Sequence, residues 1–182
     1  PGDAPDWARA LIADRTIAGA AEAFWNRVEA FEKRADAQFA KEFIIALPVE
    51  LSQEQNIALM RQFVLEQVLA RGQVADWVIH DEPGNPHAHL MTTLRPLTEM
   101  GFGAKKVAVI GPGGQPVRTK AGKIQYRLWA GEKAEFLEQR RAWLDLQNQH
   151  LAVAGLDIRV DGRSYAERGI DLVATTHIGV AA

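Results

Sequence analysis

Three stretches of the chain repeat apolar residues every three or four positions, which is the spacing of one face of a helix. The first predicted helix begins at Thr16, a residue type that caps helix N-termini. Its apolar stripe consists of Phe24, Val28, Phe31, Ala35 and Phe39. The second helix begins with a capping box formed by Ser52 and Gln55 and runs to Arg71, with Gly72 as its C-cap.

The third predicted helix covers residues 133–152 and carries its own apolar stripe. The residues of that stripe are Phe136, Leu137, Leu144 and Leu151. Residues 1–13 show no such repeat, and we expect them to be irregular. Residues 99–122 are rich in glycine and proline, which predicts a long excursion made mostly of turns.

Strands are predicted where apolar residues alternate or run together between turn residues. Residues 41–47 form one strand, with Phe43, Ile45 and Leu47 on one face and Glu42 on the other, beside Ile44 and Ala46. Residues 74–80 and 87–94 flank a turn of proline, glycine and asparagine, which predicts an antiparallel hairpin. Residues 158–160 are a candidate for a last short strand. Helices and antiparallel strands in mixed order indicate one domain of the α+β class.

Three of the five histidines lie at the ends of the hairpin strands that meet the turn: His80, His87 and His89. Alternate side chains of a strand share a face, so His87 and His89 lie together, and the partner strand brings His80 beside them. Three imidazoles can hold a divalent ion and leave positions open for water or substrate. An isolated histidine pair at this spacing is more often a solvated sheet face; the third histidine favours a metal site.

Composition limits the class of protein. With 182 residues, 47% of them hydrophobic and 24% charged, the chain is long and apolar enough to bury a core. It contains no cysteine, which excludes disulfides and thiolate metal sites and is typical of a cytoplasmic protein. Neither a long apolar run nor a signal-peptide pattern occurs, so we expect no membrane insertion.

The net charge of −2 means that nucleic-acid binding would require a local basic patch. No acidic residue occurs between Glu99 and Glu132. The cations of that segment are Lys105, Lys106, Arg118, Lys120, Lys123 and Arg127. Cations near Tyr126 and Trp129 suit single-stranded nucleic acid, and Arg95 is a further candidate phosphate contact. A solvated basic loop with aromatic residues in the core explains the same pattern.

The hairpin also resembles a known family. His80 together with the segment NPHAHLMTTLRPL at residues 85–97 is similar to the histidine signature of the MobA/MobL relaxases, and most closely to their TraA branch from rhizobial plasmids. Other segments that resemble the family are RADAQ at 34–38, IIALP at 44–48, DGRSY at 161–165 and HIG at 177–179. The resemblance covers nearly the whole chain.

The resemblance implies an HUH-endonuclease palm, a central antiparallel sheet that carries the three histidines and is backed by helices. It implies a relaxase that uses Mg²⁺ or Mn²⁺ to nick one strand at a plasmid origin of transfer, although three imidazoles would also accept Zn²⁺ or Ni²⁺. Glu42 occupies the place of the family's acidic residue, which assigns it to orienting a histidine or accepting a proton; a surface ion pair is the alternative. The implied partners are single-stranded DNA, the relaxosome and the coupling protein.

The nucleophile is where this chain departs from the family pattern. The family's tyrosine lies in an N-terminal strand and loop upstream of Pro1, and neither Tyr126 nor Tyr165 occupies a matching position. We therefore name no catalytic tyrosine and expect residues 1–182 to be a relaxase domain without that segment, from a longer protein. Two alternatives stay open: a fragment that binds DNA and metal without nicking, and a histidine-ligated metalloenzyme unrelated to DNA. We expect His150 to be a partly exposed residue of the third helix, and His177 lacks a partner at ligand spacing.

Overall fold

The computed structural model describes residues 4–172, and its largest elements are four helices and a three-stranded sheet. The helices are α1 (Asp6–Ile12), α2 (Ile17–Phe31), α3 (Gln53–Phe63) and α4 (Lys133–Val153). The capping box predicted at the start of α3 is present. After α3 the chain continues through a π-helical turn and a short 3-10 turn and leaves the helix at Gly72, which has a left-handed conformation.

The sheet contains the predicted hairpin and the strand before it. Its strands are β1 (Ala40–Ala46), β2 (Ala75–His80) and β3 (His87–Thr93). They pair antiparallel in the order β1-β3-β2, so β3 lies in the middle. The predicted α+β class, with a central antiparallel sheet that carries the three histidines and is backed by helices, is confirmed.

The core lies between one face of this sheet and the helices α3 and α4. The most buried side chains of the core are Leu59, Met60, Val68, Ala88, Leu90 and Leu151. Phe63 of α3 and Trp143 of α4 meet edge to face, with ring centroids 5.2 Å apart. Because side chains alternate along a strand, the opposite face of the sheet carries the residues between the buried ones, among them the histidines.

Tertiary contacts correct three predictions. Residues 6–12 form α1 and are not irregular, because Trp7 donates a hydrogen bond from Nε1 to the Thr98 carbonyl at 2.8 Å and packs against Phe102. Helix α2 ends at Phe31, so Ala35 and Phe39 lie beyond it.

The third correction concerns residues 158–160, which form no strand. The Asn148 side chain makes hydrogen bonds with both backbone groups of Val160. It accepts one from the Val160 N–H at 2.7 Å and donates one to the Val160 carbonyl at 2.9 Å. This side chain replaces the strand partner that Val160 would otherwise need. The family-like segment HIG at 177–179, with His177, lies outside the described residues.

The turn-rich excursion is more ordered than the sequence predicted. It contains β5 (Gly101–Phe102) and β6 (Lys106–Ala108), and these strands pair with β4 (Leu97–Thr98) just before it and β7 (Tyr126–Leu128) just after it. Three backbone hydrogen bonds of 2.8–2.9 Å link Val109, Val117 and Gln125 in a ring, in which each N–H bonds the carbonyl of another member. Residues 105–129 therefore form a compact projection of three cross-paired segments, which we call the basic arm.

Candidate metal centre

Strands β2 and β3 bring the three predicted histidines together at one end of the sheet. His80 and His87 are directly paired across the strands, and His89 lies two residues further along the same face of β3. The ring centroids are 5.1 Å apart for His80 and His87, 4.8 Å for His80 and His89, and 5.3 Å for His87 and His89. One ring nitrogen from each residue lies within 4.8 Å of the other two. The predicted cluster is confirmed.

Two of the three imidazoles have an oxygen beside Nδ1. His89 Nδ1 lies 2.8 Å from Glu42 Oε1, and His87 Nδ1 lies 2.9 Å from the Asn85 carbonyl oxygen. Because an acceptor at Nδ1 favours the tautomer with its proton there, it leaves the Nε2 lone pair available to a ligand. Glu42 is therefore in contact with the cluster, as its predicted role requires; the role itself stays a prediction.

The hairpin turn sets the second of these contacts. Asn85 donates its N–H to the Glu82 carbonyl at 2.9 Å, and Gly84 has a φ of +76°, a conformation that suits glycine. The tight turn directs the Asn85 carbonyl back toward His87, the first residue of β3. The backbone thus orients one imidazole, and the carboxylate of the neighbouring strand orients another.

The donor set fits a divalent cation. Three neutral imidazole nitrogens on a partly exposed sheet face leave further coordination positions open to water or substrate, which is typical of catalytic sites. Imidazole is a borderline ligand that suits Zn²⁺ or Ni²⁺ by softness, and Mg²⁺ or Mn²⁺ would be held with water or substrate oxygens at the open positions. The geometry therefore supports a metal centre and does not select one ion among those predicted.

The cations predicted to contact DNA fall into two groups. In the first group, the side chains of Lys106, Lys120 and Lys123 are exposed, and their ammonium groups have no hydrogen-bond or ion-pair partner among residues 4–172. Arg118 donates to the Gly122 carbonyl at 2.7 Å, and Arg127 lies 3.4 Å from a Glu135 carboxylate oxygen. All five project from the arm and remain candidates for phosphate contacts.

Arg95 and Lys105 form the second group, because both bind Glu32. Arg95 donates to the two Glu32 carboxylate oxygens at 2.7 and 3.2 Å, and Lys105 Nζ lies 2.9 Å from Oε1. The Glu32 side chain is only 8% exposed. The hydrogen bond from Arg95 holds the pKa of this carboxyl below its usual value, although burial opposes the change. This ion pair joins the end of α2 to the base of the basic arm.

The tyrosines and the fourth described histidine lie on other elements. Tyr126 belongs to β7 of the basic arm. Tyr165 follows α4, and the guanidinium carbon of Arg168 lies 5.9 Å from the centroid of the Tyr165 ring. His150 is on α4, where its Nε2 lies 2.9 Å from Gln62 Oε1. None of the three is part of the histidine cluster.

The outer edge of β1 is open, a feature that the sequence pattern did not reveal. No strand among residues 4–172 pairs with the outer edge of β1. Beside that edge lies a groove of about 630 Å³ between β1 and α4. Its apolar lining includes Phe43, Ile45, Leu47, Trp143, Leu144 and Leu151. Gln147 also lines it and is 7% exposed, with no side-chain hydrogen-bond partner in the described part of the chain.

Within residues 4–172, the structure contains no helix that combines the length and the apolar character needed to cross a membrane.

Comparison with known proteins agrees with the fold and the cluster. The family model described as "MobA/MobL family" matches residues 1–182. The chain is 64% identical over 182 residues to the "Conjugal transfer protein TraA" of Agrobacterium fabrum and 63% identical over 182 residues to that of Rhizobium radiobacter. Each alignment covers 100% of this chain and 16% of the relative, so the chain spans about a sixth of their length.

Two more distant matches extend the comparison. The "Mobilization protein A" of Escherichia coli is 33% identical over 164 residues, which is 86% of this chain and 22% of that protein. A solved structure described as "Molecular Basis of Vancomycin Resistance Transfer in Staphylococcus aureus" superposes with a TM-score of 0.65 at 32% identity, covering 85% of this chain and 73% of the other.

Replacing Glu42 tests whether its carboxylate supports the metal centre. We expect Glu42→Gln to weaken Mn²⁺ binding by about 10- to 100-fold, because the amide cannot supply the negative charge that makes His89 a better donor. Isothermal titration calorimetry would measure the change. The matched control is Glu50→Gln, an exposed glutamate just after β1, which should bind Mn²⁺ as the unmodified protein does. Equal affinity for both variants would contradict the role of Glu42.

Replacing Glu32 tests the ion pair at the base of the basic arm. Because the carboxyl pKa is lowered in the folded state, its contribution to stability is complete above the ordinary carboxyl pKa of about 4.3 and is lost as the pH falls through the lowered value. At neutral pH, Glu32→Gln should lose about 1–3 kcal/mol of unfolding free energy. Urea denaturation across pH 3–7 should show the difference between the two proteins shrinking at the acid end. A difference independent of pH would contradict this origin.

Proposed function

The chain belongs to the MobA/MobL family, and on this premise we propose that it forms the metal-binding part of a relaxase domain that nicks one DNA strand at a plasmid origin of transfer. The observation that carries the proposal is the cluster of His80, His87 and His89 with Glu42 against it. Two relatives, 63% and 64% identical to this chain, are named for conjugal transfer. Since the chain spans only a part of them, the activity is a proposal for this chain.

In the proposed site, Nε2 of each histidine would hold a divalent ion, with Mg²⁺ or Mn²⁺ as the ions used. Bound there, the ion would supply positive charge to the non-bridging oxygens of the scissile phosphate. The protein contributes orientation. The carboxylate of Glu42 and the carbonyl of Asn85 fix two imidazole rings before the substrate arrives, so less reorganisation is needed when it binds.

The proposed reaction is a transesterification. A tyrosine hydroxyl oxygen attacks the phosphorus, the bond between phosphorus and the 3′ oxygen breaks, and the 5′ phosphate remains joined to the tyrosine. The departing 3′ oxygen takes up a proton, and the phenol loses one. Oε1 of Glu42 contacts His89, whereas Oε2 has no hydrogen-bond partner among residues 4–172, and the side chain is 56% exposed. We assign Oε2 as the acceptor of the phenol proton.

We propose that the nucleophile comes from outside residues 1–182, on a strand that pairs with the open edge of β1. The elements β1, α3, β2, β3 and α4 follow the order of a split β-α-β-β-α-β unit, in which the fourth strand follows the last helix and pairs with the first strand. In our proposal a strand from upstream of residue 1 takes that place at the edge of β1. The groove beside β1 offers apolar surface for alternate side chains of such a strand. Glu42 lies on β1, so a nucleophile carried there would approach the proposed acceptor.

The proposed DNA contacts are on the basic arm. Lys106, Lys120 and Lys123, with Arg118 and Arg127, would neutralise phosphates of single-stranded DNA. Arg95 and Lys105 would have to leave Glu32 to do the same, so we assign them to holding the arm on the body of the domain. Relaxosome proteins, the coupling protein and a cytoplasmic location belong to the proposal for the whole protein.

A second candidate function is supported by the position of the tyrosines. Tyr126 and Tyr165 lie on elements other than those that carry the histidines, so residues 1–182 alone would bind metal and origin DNA without cutting. In that case the chain is a binding module of the nicking enzyme.

A nicking assay separates the two. A labelled origin oligonucleotide with Mn²⁺ is incubated with residues 1–182 or with the chain extended upstream by its native sequence. We expect cleavage and a covalent adduct only with the extended chain. His87→Ala should abolish cleavage, whereas His150→Ala, on α4, should not. Cleavage by residues 1–182 would mean that Tyr126 or Tyr165 is the nucleophile. Absence of cleavage and of DNA binding in both forms would contradict the relaxase proposal.

The basic arm makes a separate prediction. The double variant Lys120→Ala, Lys123→Ala should bind single-stranded DNA less tightly. The negative slope of log affinity against log salt concentration should become shallower by about 1.4, since two phosphate contacts are lost. Fluorescence anisotropy at several salt concentrations measures the slope. The control is Lys33→Ala, Lys133→Ala, which removes the same charge from exposed positions off the arm. The same change of slope in both variants would contradict a specific role for the arm.

A further inference from the structure

The open face of the sheet carries two exposed aliphatic side chains beside the metal centre. In the register of the sheet, His89 of β3 is paired with Ile44 of β1 on one side and with Val78 of β2 on the other. The three residues therefore form one row across the sheet, with the histidine in the middle. Ile44 is 70% exposed and Val78 is 52% exposed.

The other face of these strands is covered by the core. The residue that follows Ile44, Ile45, points to the other face and is buried in the core. The far end of the open face is also covered, because Trp25 of α2 donates from Nε1 to Asp76 Oδ2 at 2.8 Å. Ile44 and Val78 thus leave apolar surface in water beside the histidines, at a cost of roughly 25 cal/mol for each Å².

The charges on this face give it a direction. Glu42 and Asp76 are both paired with Met91, so they form the next row of the sheet, with a carboxylate on each outer strand. His80 and His87 lie in the row on the opposite side of Ile44 and Val78. A phosphate is repelled by that row and attracted by a cation held at the histidines. The uncharged parts of the same nucleotide, its sugar and base, are the groups that can lie over the aliphatic row.

We propose that Ile44 and Val78 form an apolar shelf that contacts the base of the nucleotide joined to the scissile phosphate. By holding that nucleotide, the shelf positions its phosphodiester over the three histidines. This inference rests on the proposed function and adds to it the residues that position the substrate. Rows of a strand face are spaced by two residues, about 7 Å, a distance that a sugar and base can span.

The test uses threonine at both positions. Threonine keeps the branched Cβ that suits a strand and replaces a hydrocarbon group with a hydroxyl, so the sheet should be preserved. Binding is measured by fluorescence anisotropy with Mn²⁺ present, on labelled oligothymidylate and on an abasic deoxyribose-phosphate strand of the same length. The control variant is Val49→Thr, which changes an exposed valine in the loop after β1. Mn²⁺ titration and thermal melting verify that each variant keeps its metal site and fold.

We expect the double variant Ile44→Thr, Val78→Thr to bind oligothymidylate about tenfold more weakly, which corresponds to about 1.4 kcal/mol, because both side chains lose apolar contact with the base. Its affinity for the abasic strand should change less than twofold, and Val49→Thr should change neither. Unaltered binding of oligothymidylate, or an equal loss for both strands, would overturn the shelf.

The outcome separates the shelf from the proposed function. If the unmodified protein binds oligothymidylate and His87→Ala weakens that binding, while the threonine variants bind normally, the shelf is wrong and the proposed function is unaffected. If the unmodified protein binds neither strand in the presence of Mn²⁺, the proposed function fails, and the shelf fails with it.

Discussion

The alternation of side chains along β3 is the constraint on which the rest of the structure depends. Ala88 and Leu90 of β3 are buried in the core with α3 and α4. His87 and His89 alternate with them along the strand and therefore lie on the other face. A shift of β3 by one residue would expose the core residues and bury the imidazoles. Burial of the core therefore fixes the register that brings His89 beside Glu42, and the stability of the domain and the geometry of its metal centre have one cause.

The sequence predicted the features that depend on local periodicity. The alternation of His87 and His89, the turn at Gly84 and the capping box at Ser52 are each encoded within a few residues, so the hairpin, the histidine cluster and the start of α3 were correctly predicted. Helix α1 depends instead on Trp7 reaching Thr98, which is 91 positions away in the chain. No local pattern encodes such a contact, and the prediction of irregular structure was wrong for residues 6–12 for that reason.

Charge is the property that the sequence describes least well. In the sequence, the cations predicted as DNA contacts cannot be told apart by their charge. In the structure, Arg95 and Lys105 bind Glu32, whereas the side chains of Lys120 and Lys123 are exposed. Glu32 lies 63 positions from Arg95, so only the fold shows that these charges are already neutralised. The open edge of β1 could not be predicted from the sequence either. The order of the strands in the sheet determines which edge lacks a neighbour, and the pattern within one strand does not encode that order.

We propose that Nε2 of His80, His87 and His89 together hold one divalent cation. A titration with diamagnetic Zn²⁺ followed by NMR of the ¹⁵N-labelled histidine rings would examine these three atoms individually. We expect His87 and His89 to carry their proton on Nδ1 before the ion is added. One equivalent of Zn²⁺ should shift the Nε2 signals of the three clustered histidines and leave His150 unchanged. A shift at Nδ1, or no response from one of the three rings, would contradict this proposal.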